Sequence, residues 1–166
     1  RNFLKPSTKK VLFSISKALN EINEIIGKQV FYSNINMNFN YKNKNEELLI
    51  YGYENEFKQV LLNIINNAKN KIVEKNLPLN KKGEININIQ RCENCNMIEI
   101  IDDAGAIDEK IINSIFEPYF TTKENGMGLG LYMAKIIIED KMKGTISVRN
   151  DKNCVIFTIK LPFKKA

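Results

Sequence analysis

From about Asn55 to Lys75 the apolar residues Phe57, Val60, Leu61, Ile64, Ile65, Ala68 and Ile72 recur at intervals of three and four, which predicts one arc of an α-helix ending before Pro78. A helix this one-sided must bury that arc against another element. Alternating runs supply the partner. Ile35, Met37, Phe39 and Tyr41 read as one strand, with Leu48-Leu49-Ile50-Tyr51 as its hairpin partner across a Lys/Asn-rich turn. Ile85, Ile87 and Ile89, then Ile98, Ile100 and Ile101, read as two more strands about a turn near Glu93-Asn94. Upstream, an extended Val11-Leu12-Phe13-Ser14-Ile15 precedes a helix capped by Ser16 and carrying Leu19, Ile22, Ile25 and Ile26 on one side. Downstream come a short helix at Glu109 to Ile115, an irregular stretch to Gly126, a helix to about Lys141 and two closing strands. Elements grouped this way imply a mixed sheet under a helical layer, not an alternating parallel fold.

Composition limits the chemistry. A chain of 166 residues, 43% hydrophobic, suits one domain with a substantial core. It shows no run of membrane-spanning length and no leader, and its start at Arg1 reads as that of a fragment. The net charge of +6 is spread over Lys9-Lys10, Lys42, Lys44, Lys81-Lys82 and Lys164-Lys165 with acids between, a solvated basic surface and not a nucleic-acid reader. Cys92 and Cys95 have the spacing of half a zinc site, but only Cys154 remains and there is no His, so no zinc site is expected. Three cysteines fit a reducing compartment better than a disulfide framework. The absence of His also excludes Ser-His-Asp and Cys-His catalysis within the chain.

Three features suggest a nucleotide site. On the long helix, Asn63, Asn67 and Lys71, each four apart, form a polar stripe bordering the apolar arc, with Asn66 and Asn70 further toward solvent. A carboxamide there offers oxygen to a hard cation such as Mg²⁺, and Lys71 could meet phosphate; an Asn-rich composition would place Asn on helix edges without any such role. The cluster Gly126-Met127-Gly128-Leu129-Gly130-Leu131 opens an apolar helix, where backbone N–H groups free of Cβ obstruction can approach phosphate. It is neither a Walker A loop nor a Rossmann turn, and a Gly-rich turn serving close packing fits equally well. Asp102 ends the strand Ile98-Glu99-Ile100-Ile101 and enters Asp103-Ala104-Gly105-Ala106-Ile107. Its carboxylate can accept from an exocyclic amine such as that of adenine, or it can be a turn residue at a strand end.

In order along the chain, Gln59 to Ala68 resembles the N box, Asp102 to Ile107 the G1 box, Ile115 to Lys123 the F box and Gly126 to Leu131 the G2 box of sensor histidine kinases. Phe157-Thr158-Ile159-Lys160-Leu161-Pro162 resembles the family's closing strand. The likeness spans Ser14 to Phe163. It implies the Bergerat ATP-binding fold shared with gyrase and MutL: an α+β two-layer sandwich, with a mixed, mostly antiparallel sheet of about five strands. Three helices would cover one face, with a short N-terminal hairpin region and an ATP lid. Residues 1–8 would be the tail of a preceding dimerisation helix and 9–166 the catalytic ATP-binding domain.

The resemblance also assigns roles. Asn67 would hold Mg²⁺, Asp102 would meet the adenine amine, and Lys71 and Lys123 would lie near the phosphates. The Gly126, Gly128 and Gly130 backbone would line them, with Gly105, Ala106, Ile107, Leu129 and Leu131 against the nucleotide. Thr158 would reach adenine through water. Residues Phe116 to Asn125 would form the lid, with Phe116 and Phe120 packing it down. Asn63, Lys71 and Lys123 fall at catalytic positions. The hydrolysing branch has a Glu general base where this chain has Asn63, and an amide cannot take a proton in that role. Transfer to an external His is therefore expected, with the acceptor on a hairpin of the same parent and a response regulator receiving the group next. A nucleotide-binding regulatory module or an ATPase would share the fold. The resemblance also implies a cytoplasmic domain, monomeric as a fragment, of a homodimeric parent that could be anchored in the inner membrane. One departure stands out: the G1 pattern DxGxG meets Ala104 and Ala106 here. If Ala106 needs a positive φ, its Cβ costs on the order of 1 kcal/mol, and it could also crowd the adenine; weakened, not abolished, nucleotide binding is expected, and Ala106→Gly would tighten it.

Overall fold

A computed structural model of the chain describes residues 5–120 and 130–163. The elements run β1 (Val11–Ser14), α1 (Ile15–Tyr32), β2 (Ile35–Tyr41), β3 (Leu49–Gly52), α2 (Glu54–Glu74), β4 (Gly83–Cys92), β5 (Cys95–Asp102), α3 (Gly130–Lys135), β6 (Thr145–Asp151) and β7 (Cys154–Pro162). α3 continues as a π-helical turn over Ile136–Lys141. The five-stranded sheet has the order β2-β4-β5-β7-β6, with β2 and β4 parallel and the other pairs antiparallel. This is the expected mixed, mostly antiparallel sandwich.

The long helix supplies the core from one side. Phe57, Val60, Leu61, Ile64 and Ile65 of α2 are buried, as are Ile85, Ile87 and Ile89 of β4, Ile98 and Ile100 of β5 and Val155, Phe157 and Ile159 of β7. Side chains alternate across a strand, so the registers Ile100↔Phe157 and Asp102↔Val155 put Asp102 on the core face. The opposite face carries amide ladders. Asn36 and Asn38 of β2 donate to Glu84, Asn38 to Asn86 and Asn40 to Asn88. Among the described residues one basic side chain interrupts the apolar rule: Lys58 of α2 is buried and ion-paired with Glu21 of α1 and, at 3.5 Å, with Glu54.

Four local expectations change. Leu49–Gly52 does not fold back on β2; it pairs antiparallel with Val11–Ser14, and Ile15 N–H donates to Leu48 O. Alternation marks the buried face of a strand and not its partner. The two-stranded sheet is therefore assembled from segments separated by α1 and β2. Ser14, not Ser16, caps α1, accepting from Lys17 N–H at 3.3 Å, while Ser16 contacts the Ser14 hydroxyl. The short helix expected at Glu109 to Ile115 shrinks to a 3₁₀ turn over Ile112–Ser114. Cys92 and Cys95, expected as thiols, form a disulfide across the β4–β5 turn, where the strand register sets their Cα atoms 5.0 Å apart.

The start of α2 is capped from far away in sequence. Its N-cap residue Tyr53 makes no side-chain cap. Instead Ser7 Oγ accepts from Asn55 N–H at 3.2 Å, Ser7 N–H donates to the Glu56 carboxylate at 3.1 Å, and Asn55 Nδ2 donates to Lys5 O at 2.7 Å. A capping box normally joins residues three apart; here its two bonds span 48 and 49 residues. The segment 1–8, expected as a helix tail, is accordingly non-helical over its described part. Ser7→Ala should cost about 1 kcal/mol of stability. A lower urea midpoint at unchanged slope would show this, and an unchanged midpoint would rule it out.

Candidate functional site

The polar stripe of α2 runs from the start of α3 to the end of β5. Asn63, Asn67 and Lys71 are each half-buried, whereas Asn66 is exposed. Eight residues of helix separate Asn63 from Lys71, about 12 Å at 1.5 Å per residue. At one end Asn63 accepts from Gln59 Nε2 at 3.1 Å and its Nδ2 lies 3.5 Å from the carbonyl of Gly130, the first residue of α3. At the other end Lys71 Nζ lies 3.5 Å from Asp102 Oδ1. Between them, the Asn67 side chain makes no hydrogen bond among the described residues, which suits an amide oxygen kept for a hard cation.

Asp102 is the most constrained ionisable group here. It is only 3% exposed, and burial pushes its carboxyl above the usual value, opposed by the Lys71 ammonium and by the N–H of Ala104, which donates to Oδ1 at 3.1 Å. The loop that follows is pinned on both sides. Asp103 Oδ1 accepts from Glu84 N–H at 2.9 Å. Asn150 of β6 takes the Ile107 N–H at 2.9 Å and donates to its carbonyl at 2.8 Å. The loop's left-handed residue is Gly105, at φ 108°, where an added Cβ would come 2.9 Å from Lys75 Nζ. Ala104 is buried, whereas Ala106 is exposed and its φ is not positive. The strain expected at Ala106 is therefore absent, and the loop's positive φ falls on Gly105, one place earlier, where a glycine takes it at no cost.

Not every expected residue reaches this stripe. Thr158 pairs with Glu99 and Ser147 on the outer face of the sheet, and the β7 residue opposite Asp102 on the core face is Val155. The water-mediated role expected of Thr158 thus has no place beside Asp102. Lys71 stands at the Asp102 end of the stripe, and the stripe residue at Gly130 is Asn63. Phe116 stacks edge-on to Phe157 with centroids 6.1 Å apart, and Phe120 and Leu131 pack against the core. Lys123, Gly126, Gly128 and Leu129 lie outside the described residues. Sequence reasoning missed Asn150, since nothing marks an Asn 43 residues downstream as the clamp of a loop. It also missed Lys75, although its i, i+4 relation to Lys71 continues the stripe already identified.

The family model for histidine kinase-, DNA gyrase B-, and HSP90-like ATPases matches residues 52–165. Sporulation kinase A of Bacillus subtilis is 30% identical over 156 residues, 93% of this chain and 24% of that protein. The chain spans about a quarter to a third of the length of the curated relatives it matches over most of its own length. Among solved structures, the catalytic domain of histidine kinase ThkA superposes with a TM-score of 0.82 at 28% identity, covering 94% of this chain and 97% of that one. The same kinase in complex with response regulator protein TrrA gives 0.77 at 25% identity, over 93% of this chain and 42% of the kinase.

Proposed function

The chain belongs to the family of histidine kinase-, DNA gyrase B- and HSP90-like ATPases, and from that premise we propose that it is the catalytic domain of a two-component sensor histidine kinase. It binds Mg-ATP and passes the γ-phosphoryl group to a His on a helical hairpin of the same parent, from which a response regulator takes it. One observation carries the reading: a single stripe of α2 joins Gly130, through Asn63 and Asn67, to the buried carboxylate of Asp102. That order suits a nucleotide laid along the helix, phosphates toward α3 and base toward β5.

Each residue then has a task. Asp102 accepts a hydrogen bond from the adenine amine. Gly105 and Ile107, with Ala106 at the rim, shape the loop beside the base, and Asn150 keeps that loop in place. Asn67 offers its amide oxygen to Mg²⁺, which when bound supplies positive charge to the phosphates. Gly126, Gly128, Leu129, Gly130 and Leu131 present backbone to the phosphates, with Lys123 as the nearby cation and Phe120 anchoring the approach to the lid. Asn63 holds α3 through Gly130 and offers no base to activate water, which favours transfer over hydrolysis. The regulatory-module reading keeps the Ala106 departure as its support but not the backbone strain, since Ala106 has no positive φ. ThkA's complex with a response regulator, and the sporulation kinase relatives, support the relay.

We place Lys5 onward in the catalytic domain, because Lys5 and Ser7 cap α2. The chain alone is then a monomer of a homodimeric parent. No described helix is long and apolar enough to cross a membrane.

Incubating the chain with radiolabelled Mg-ATP and the parent's hairpin should place acid-labile label on the hairpin His and none on the chain alone. Free phosphate without labelled hairpin would favour an ATPase. Acid-stable label on the chain would overturn the assignment.

A further inference from the structure

We infer that Lys71 is a positioning residue for the purine end of the site, orienting the Asp102 carboxylate toward an exocyclic amine, and not a ligand for phosphate. The inference rests on the reading above that Asp102 meets adenine.

Three observations point the same way. Lys71 Nζ is 3.5 Å from Asp102 Oδ1, and the Ala104 N–H donates to that same oxygen at 3.1 Å. Among the described residues both contacts of the carboxylate fall on Oδ1, so Oδ2 is the oxygen presented to a ligand. The distance along α2 is the second argument. Asn63, not Lys71, is the stripe residue at Gly130, and about 12 Å of helix separates the two. Third, Lys71 does not act alone, since the Lys75 ammonium lies over Gly105 in the same loop. The last turn of α2 and its C-cap residue thus direct cations at residues 102–105, where the helix C-terminus itself favours positive charge.

The chemistry explains why a purine site would need this. A carboxylate that is 3% exposed is poorly solvated, and an ammonium beside it favours the charged, acceptor-only form. An acceptor-only group selects a 6-amino purine over a 6-oxo purine, whose carbonyl would face it lone pair to lone pair. Lys71 would set base choice through Asp102 without touching the base.

The test is calorimetric binding of adenosine, ADP, ATP and inosine diphosphate to the wild-type chain, Lys71→Met and Lys71→Arg. Lys71→Met should weaken adenosine, ADP and ATP by one common factor of roughly 10 and narrow the preference for ADP over inosine diphosphate. Lys71→Arg should restore most of both. A loss that grows with phosphate number while adenosine is unaffected would overturn the inference in favour of a phosphate contact, as would unchanged affinities throughout. A wild-type chain that binds neither adenosine nor ADP would instead refute the nucleotide site itself. Should Lys71→Met fail to fold, Lys71→Gln reads the same ratios.

Discussion

Asp102→Asn is expected to weaken ADP binding by roughly 10- to 100-fold, the loss of one hydrogen bond to a charged group worth about 1.5–3 kcal/mol. The isosteric amide can also present N–H groups where the carboxylate presented only acceptors. Inosine diphosphate should therefore lose less affinity than ADP, and the preference between them should shrink. Unfolding should not explain this loss. Burial holds the Asp102 carboxyl above its ordinary 3.8, so at neutral pH its ionised form is a burden on the folded state that the amide removes. The sign follows from proton binding. As pH falls through the raised native value toward 3.8, the native state takes up the proton before the unfolded state does, and the group's contribution becomes more favourable to folding; below 3.8 that gain is complete. Relative to Asp102→Asn, the wild-type chain should thus gain stability on acidification. Calorimetry reads the affinities and urea unfolding at two pH values reads the linkage. Equal ADP affinity in the two proteins would remove Asp102 from the site.

Gly144→Ala should destabilise the domain by about 3 kcal/mol or more, at the upper end of overpacking effects. A Cβ at that position would lie 2.2 Å from the carbonyl oxygen of Lys160 and 2.7 Å from Leu161 Cδ2. Neither side can yield easily. Lys160 is held in β7 opposite Thr145, and Gly144 N–H donates at 2.8 Å to Ile138 O, closing the π-helical turn. Gly52→Ala offers the contrast: its Cβ would meet the methyl of Met142 at 2.4 Å, the free end of a flexible side chain that can rotate away. For a domain of this size, 3 kcal/mol lowers the melting temperature by roughly 6–12 °C. Thermal unfolding of the two variants decides the matter, and a Gly144→Ala protein melting with the wild type would refute the packing argument.

The legible parts of this chain were those whose signal is local. Helical spacing from Phe57 to Ile72 marked α2 to within a residue at each end, and alternation marked the β4–β5 hairpin, because burial acts on each side chain separately. Partnership was not legible. The run Leu48 to Tyr51 reads the same whether it pairs with β2 or with β1, and only closure of the fold selects β1. The site divides likewise. Asn67 could be set on the edge of the apolar arc from spacing alone, and Asp102 at a strand end. The face to which Thr158 points, and hence its distance from Asp102, depends on a register of three strands that no window of sequence contains.

By itself, then, the sequence determined most of the secondary elements, their apolar faces and the absence of any His from the chain. The tertiary structure decided everything that rests on residues far apart meeting: the Ser7 cap on α2, the Asn150 clamp on Ile107, the relaxed Ala106 beside a left-handed Gly105, and the attachment of Lys71 to Asp102. The physical reason is that periodicity records which side of an element faces the core. Hydrogen bonds and ion pairs depend on distances of a few ångströms between elements, and packing of the whole sheet against its helices sets those distances.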